Sequence, residues 1–448
     1  VTARRKPAPD QADRDRAARA RGANVLADAG AGTGKTTLLV ARIVELVAPE
    51  GDAPPVPLPR LAAITFTRKA AGELKLRVRE AFLRALSAPA LGERRRALLL
   101  TALSDLDTAH VGTIHAFADR LLRLSPVESR LSPSYEIAED AAPLLAEAFD
   151  LVVHAVEAGT LHEALAGLDR AAADEASAAL VDALRAGLRA QSREHAHGEV
   201  RGLDRLFARL VETRDVPPAA GGAPPRPDLA AFRERARAFR EEAARVAAAG
   251  TPGARYLRWI GARLGGLLGS GDPAAVLAEL NRIAAAKPAK LRRRDEFDGD
   301  AAAWRLWKRW SEGDDEEPAL REALAAPFRR WLAARLVRCA PAFVAAYDLV
   351  KARRGAVDQV DLLLALRDLL RARKDVRARY QALLDHVLVD EFQDTDPLQA
   401  EIVLFLCEDG ARADAWSDVA LVPGKLTIVG DPKQSIYRFR RADVAMYA

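Results

Sequence analysis

Residues 27–37 read ADAGAGTGKTT, and they stand between a short apolar run and a long amphipathic one. The backbone N–H groups of a loop such as Gly30 to Gly34 can close around a phosphate without Cβ obstruction. Lys35 can bring a point charge to its β and γ oxygens, and the Thr36 hydroxyl can ligate a divalent cation. A strand must deliver such a loop and a helix must receive it, so the segment implies a parallel α/β sheet. Ala29 stands where the general G-x-x-x-x-G-K-[ST] pattern has its first glycine, while Ala31, Gly32, Thr33 and the following Thr37 keep the register of the loop.

The first 124 residues repeat this grammar. Apolar or β-branched runs at Asn24–Ala27, Leu61–Phe66 and His110–Ile114 are each followed by a helical stretch. It returns near the end of the chain, where HVLVDEF and KLTIVGD read as buried strands with the helical DPLQAEIVLFL between them. The text between is almost wholly helical, interrupted by VPPAAGGAPPRP and EGDDEEP. The expected organisation is one α/β domain built from residues 1–124 and 346–448, split by an α-helical insertion at 125–345. Within that insertion Trp304, Trp307 and Trp310 recur at helical spacing, and helix packing is expected of them. His195 and His197 lack partners at metal-ligand spacing, so a solvated loop is expected there.

LVDEFQDTDP adds the second half of an ATPase. Val387 to Val389 bury the strand, and the acidic pair emerges at its carboxyl end, the edge on which the glycine loop also opens. Asp390 is suited to holding Mg²⁺ through water and Glu391 to polarising an attacking water. Consecutive strand residues face opposite ways, so both serve one site only if the chain leaves the strand at this point.

Other classes of chemistry are disfavoured. Cys339 and Cys407 are the only cysteines, too few for a disulfide framework or a four-thiolate cluster. No apolar run reaches the roughly 20 residues of a membrane span, and the opening residues are polar; a bacterial cytoplasmic protein is expected. Formal charge is +5 from 68 Lys and Arg against 63 Asp and Glu, so any basic surface must be local.

The segment GDPKQSIYRFRRAD, Gly430 to Asp443, together with those already quoted, resembles motif III of the UvrD/Rep-type superfamily 1A DNA helicases. Further matches follow in the family's order: Gln11 in PDQADRDRA resembles the adenine-reading Q motif, AITFTRKAAGEL resembles motif Ia, and VGTIHAFADRLLR resembles the next DNA-contact motif. DPKQSIYRFR and VDEFQDTDPLQ are most similar to the AddA/RecB helicase-nuclease branch. Upstream, Asp358, Asp361 and Leu362 match a D-F-x-D-L segment of that branch, with Gln359 where Phe is usual, and Arg441 stands at a commonly glycine position.

The resemblance implies a RecA-like domain 1A interrupted by a helical domain 1B, ATP and Mg²⁺ as cofactors, and 3′-to-5′ movement along single-stranded DNA. It implies that Gln434 senses the γ-phosphate and that Phe66, Tyr437 and Phe439 stack on or contact bases. Thr65, Thr67, Arg68, His115 and Arg440 would supply polar or charged contacts. It also implies work on duplex DNA ends beside a second, AddB-like or RecC-like subunit, close to the nucleoid. Motifs IV to VI and a nuclease signature do not follow motif III within the 448 residues, so an incomplete motor is expected. The alternatives are a UvrD/Rep-like helicase without nuclease, or a nucleotide-dependent DNA-binding module without productive turnover.

Overall fold

The computed structural model describes residues 10–30, 32–89, 91–165, 167–188, 200–215, 225–246, 250–286, 297, 300–313, 317–431 and 433. Contacts divide them into two units, one of residues up to Glu139 together with those from Gly355 onward, the other running from Asp140 to Arg354. Both divisions fall later in the chain than those drawn from the sequence at 124/125 and 345/346. The reason is local. Tyr135 donates to Asp119 Oδ1 at 2.5 Å. Glu136 and Ile137 then pair in parallel with Ala356 and Val357, which ties the segment after residue 124 to the first unit. The helix Ala340–Arg354, in turn, buries Phe343, Tyr347 and Val350 in the core of the second unit.

The strands of the first unit are β1 (Val25–Asp28), β2 (Leu61–Thr65), β3 (His110–Thr113), the short pair β4 (Glu136–Ile137) and β5 (Ala356–Val357), β6 (His386–Val389) and β7 (Leu426–Gly430). Its first helices are α1 (Gln11–Arg19), α2 (Lys35–Val47), α3 (Arg68–Leu86), α4 (Glu93–Asp105) and α5 (Ile114–Arg123). The main sheet is parallel throughout, in the order β1-β7-β6-β2-β3. β6 and β7, from the far end of the sequence, therefore fill the gap between β1 and β2, which is how one sheet comes to be split by an insertion. The fold is α/β, a RecA-like parallel sheet flanked by helices.

Side-chain alternation assigns the two faces. Leu388 and Val429 pack with Leu39, Ile43, Val78, Phe82 and Leu99 of α2, α3 and α4. Val387 and Val389 point the other way, onto Phe117 and Leu121 of α5 and the helices Gln359–Ala372, Lys374–Leu383 and Pro397–Cys407. A strand covered on both faces has no solvent-facing positions, and all four residues of β6 are buried, including His386, whose Nδ1 lies 2.8 Å from Gly424 O. Arg42 of α2 is 0% exposed. It donates to the carbonyls of Ala17 and Ala20 at 2.6 Å each and to the Thr427 hydroxyl at 2.8 Å, fastening the end of α1 to β7. Burial brings its guanidinium down to about 10.

The second unit is helical, with a core of its own that includes Phe149, Phe207, Phe239, Phe328 and Tyr347. Trp307 and Trp310 are each 3% exposed within it and Trp304 packs against it, so this stripe is packing. His195 and His197 lie outside the described residues. Among the described residues no helix is long and apolar enough to cross a membrane.

Candidate active site

Because every strand of the main sheet runs the same way, the loops after β1, β2, β3, β6 and β7 all leave from one edge. After β1, Ala29 still donates its N–H to Gly430 O at 3.0 Å. The chain then turns, with the Thr33 hydroxyl donating to Gly30 O at 2.7 Å. Gly32 and Gly34 have φ of 70° and 92°, the left-handed region that a Cβ disfavours. Gly34 ends the loop as the residue before α2, so the helix begins at Lys35.

Lys35 is buried, and its Nζ donates to Glu391 Oε2 at 2.8 Å. The Thr36 hydroxyl lies 3.4 Å from Asp390 Oδ2. β6 stops at Val389, and Glu391 takes φ 54° and ψ 44° before the short turn Phe392–Asp394. That left-handed step is the departure from the strand that lets both acids reach the loop after β1. Burial first, and the neighbouring Glu391 charge second, raise the Asp390 carboxyl above its ordinary value. A divalent cation would act in the opposite sense, favouring the ionised form.

Beside this cluster is a cavity of about 490 Å³ lined by Arg14, Ala17, Asn24, Ala29, Gly34 and Leu38 among others. Its wall places α1 next to the glycine loop. Gln11 itself is exposed, and its amide donates to Asp15 Oδ1 at 2.7 Å.

The residues of the other two motifs occupy the ends of neighbouring strands, with Thr65 and Thr113 paired in register. Thr67 caps α3 by accepting from Ala70 N at 3.0 Å. Phe66 is half-buried, Thr37 and Arg68 are exposed, and Arg68 meets Glu139 at 3.0 Å. His115 lies at the start of α5, where burial and then the Arg68 charge lower its pKa and favour the neutral ring. Ala31, Gln434, Tyr437, Phe439 and Arg440 lie outside the described residues.

Residues 11–448 match the family described as UvrD/REP helicase N-terminal domain. The chain belongs to that family. It is 29% identical over 498 residues to the A subunit of the ATP-dependent helicase/nuclease from Geobacillus kaustophilus (strain HTA426), an alignment covering 100% of this chain and 37% of the relative. The protein of the same name from Bacillus cereus (strain B4264) is 28% identical over 464 residues, or 97% of this chain and 36% of its own length. The chain thus spans little more than a third of the length of these relatives. Membership in a helicase family implies use of ATP.

The cluster around Lys35 and Glu391 also contains residues that the sequence patterns did not single out. Gln393, 3% exposed, donates to Glu391 Oε2 at 2.7 Å and accepts from Asp431 N at 2.9 Å. Asp394 Oδ1 is buried with no hydrogen-bond partner among the described residues. Burial and the Glu391 charge lift that carboxyl to about 6. Asp358 and Asp361, noted in the sequence only as a motif match, form a reciprocal cap on the helix Gln359–Ala372. The D-x-x-D spacing before an apolar run was a visible signal for that cap. The bond of Gln393 to Asp431 spans 38 residues and left no such signal.

Proposed function

We propose that this chain is the ATP-binding part of an ATP-driven 3′-to-5′ single-strand DNA translocase, the motor end of an AddA/RecB-type helicase-nuclease that acts on duplex ends in double-strand-break repair. The observation that carries the reading is the convergence of Lys35, Thr36, Asp390 and Glu391 at one edge of the sheet.

The residues fit Mg-ATP. The glycine loop and the start of α2 direct backbone N–H groups at a phosphate, and Gly32 has open space where a side chain would project. Thr36 and Asp390 are the candidates for holding Mg²⁺, which commonly takes one or two protein oxygens and fills its remaining positions with phosphate and water. Bound Mg-ATP supplies the phosphoryl group and the charge that polarises it. Lys35 would exchange its bond to Glu391 for one to phosphate. Glu391 would then be released to accept a hydrogen bond from water, with Gln393 still holding its Oε2. We assign adenine to the cavity beside α1, close to Gln11, and γ-phosphate sensing to Gln434.

For DNA we assign Thr65, Phe66, Thr67, Arg68 and His115 at the strand ends, with Tyr437, Phe439 and Arg440 of motif III. Aromatic stacking suits sequence-independent binding because every base has a π face. The names of the relatives support a helicase-nuclease component; an AddB-like partner and a place in the bacterial cytoplasm near the nucleoid belong to the same proposal.

The test is ATP hydrolysis with and without single-stranded DNA, in the full-length protein and in its Lys35→Ala variant. Hydrolysis should be stimulated by DNA and should fall by about 10²-fold or more when the lysine is removed. Turnover indifferent to DNA, or a variant as active as the parent, would refute the assignment.

A further inference from the structure

Glu391 Oε2 accepts from two donors, Lys35 Nζ at 2.8 Å and Gln393 Nε2 at 2.7 Å. Only the first of these has an evident reason to change when nucleotide arrives. The second belongs to a chain of contacts that leads away from the site. Gln393 is 3% exposed, and its Oε1 accepts the backbone N–H of Asp431 at 2.9 Å. Asp431 is the first residue after β7 and the second of GDPKQSIYRFR, so one amide side chain joins the water-side carboxylate to the base of motif III.

Asp431 has a further neighbour. A Cβ placed on Gly30 would come within 3.8 Å of Asp431 Oδ2, which sets this carboxylate against the glycine loop. Its other oxygen accepts from Lys433 N at 3.0 Å, turning the chain at the start of the motif. Asp431 therefore lies beside the loop, one residue after Gly430, whose carbonyl accepts from Ala29 N at 3.0 Å, and is bonded to Gln393 on its other side. A displacement of its backbone by a few tenths of an ångström would lengthen or bend the bond to Gln393, because a buried amide donating at one end and accepting at the other cannot rotate without losing both bonds.

Resting on the function proposed above, we propose that Gln393 is a positioning residue that couples the backbone at Asp431 to the orientation of Glu391, so that DNA engaged through motif III raises turnover by aligning this carboxylate. Glu391 sits in a left-handed backbone conformation, φ 54°, and its Oε2 is held by the bonds from Lys35 and Gln393. Gln393 supplies a contact that persists when Lys35 turns to phosphate. The amide takes no part in bond making; it sets the aim of the group that does.

The test uses Gln393→Ala and Gln393→Glu in the full-length protein, with steady-state ATPase measured with and without single-stranded DNA. Loss of one hydrogen bond to a charged group should lower DNA-stimulated kcat by about 10-fold or more in Gln393→Ala. KM for ATP and DNA affinity should each change by less than about 2-fold, and the ratio of stimulated to basal turnover should fall. Gln393→Glu preserves the volume but sets an ionised carboxylate against Glu391, so it should be at least as defective near neutral pH. Protonation lets the introduced carboxyl donate again, and its activity relative to the parent should rise as pH is lowered, a profile that loss of packing would not produce. A ratio equal to the parent's in a folded Gln393→Ala variant would overturn the coupling, as would a flat pH profile for Gln393→Glu. Lys35→Ala is the control that separates the two claims: if it too retained full turnover, the assignment of the ATP site itself would be wrong.

Discussion

At Glu391 a residue with a Cβ occupies φ 54°, a conformation costing on the order of 1 kcal/mol relative to the ordinary regions. Its presence follows from the chemistry: strand alternation would otherwise send Asp390 and Glu391 to opposite faces. That requirement could be read from DE at the end of an apolar run. The bond from Lys35 to Glu391 could not, since it joins residues 356 apart in sequence. This ion pair sharpens what two substitutions should do. Lys35→Ala removes the charge directed at the β and γ phosphates, so nucleotide affinity should drop. Glu391→Gln keeps size and polarity while releasing Lys35 from its ionic partner. Affinity should therefore hold or rise, while turnover falls by about 10²-fold or more through loss of the group that activates water. Fluorescent-nucleotide titration beside steady-state ATPase checks both, and equal losses of affinity in the two variants would contradict this division of roles.

The strands were legible as elements because burial on both faces leaves mostly apolar runs; HVLVDEF and KLTIVGD contain β6 and β7, with His386 and Thr427 as buried polar exceptions. β4 and β5, two residues each, carry no such pattern and went unread. The order of the strands was also not legible, since nothing local says that β6 and β7 enter between β1 and β2. One contact that fixes this order is the pair of Arg60 and Asp385, which precede the neighbouring strands β2 and β6 and meet through two bonds of 2.6 Å. Arg60, by its hydrogen bond first and its charge second, outweighs burial and holds the Asp385 carboxyl below its ordinary value of 3.8. A carboxyl with a lowered folded-state pKa contributes stability above its unfolded value, and the contribution is lost as pH falls through the folded one. Both side chains are more than a third exposed, so solvent screening limits the pair to about 0.5–1 kcal/mol. Arg60→Ala should lower the denaturant midpoint accordingly near neutral pH, and the deficit should shrink at about pH 3. A deficit that did not depend on pH would mean that Arg60 acts by packing alone.

Across the whole molecule, the two units have separate hydrophobic cores, and the tryptophans are divided unevenly between them. Trp259, Trp304, Trp307, Trp310 and Trp331 belong to the helical unit, where Trp307, Trp310 and Trp331 are in the core and Trp259 and Trp304 pack against it, whereas Trp416 stands 42% exposed in the α/β unit. The helical character of the insertion was plain from its sequence. Its lack of chemical motifs said nothing about its energetics, which come from packing of Phe, Trp and Leu contributed by distant helices. The assigned ATP site lies wholly in the α/β unit, so nucleotide should stabilise that unit alone. A ligand at about 100 times its Kd contributes roughly 2.7 kcal/mol, which for a unit of this size corresponds to a shift of roughly 5–10 °C in its melting temperature. Calorimetry with a non-hydrolysable ATP analogue and Mg²⁺ should show one transition raised by that amount. The transition followed by tryptophan fluorescence should move by no more than about a degree in the Trp416→Phe variant, whose remaining indoles all lie in the unit that the ligand does not touch. If the fluorescence transition climbed in step with the calorimetric one, the two cores would be melting as a single cooperative body, and the insertion would have to be regarded as part of the ATPase fold.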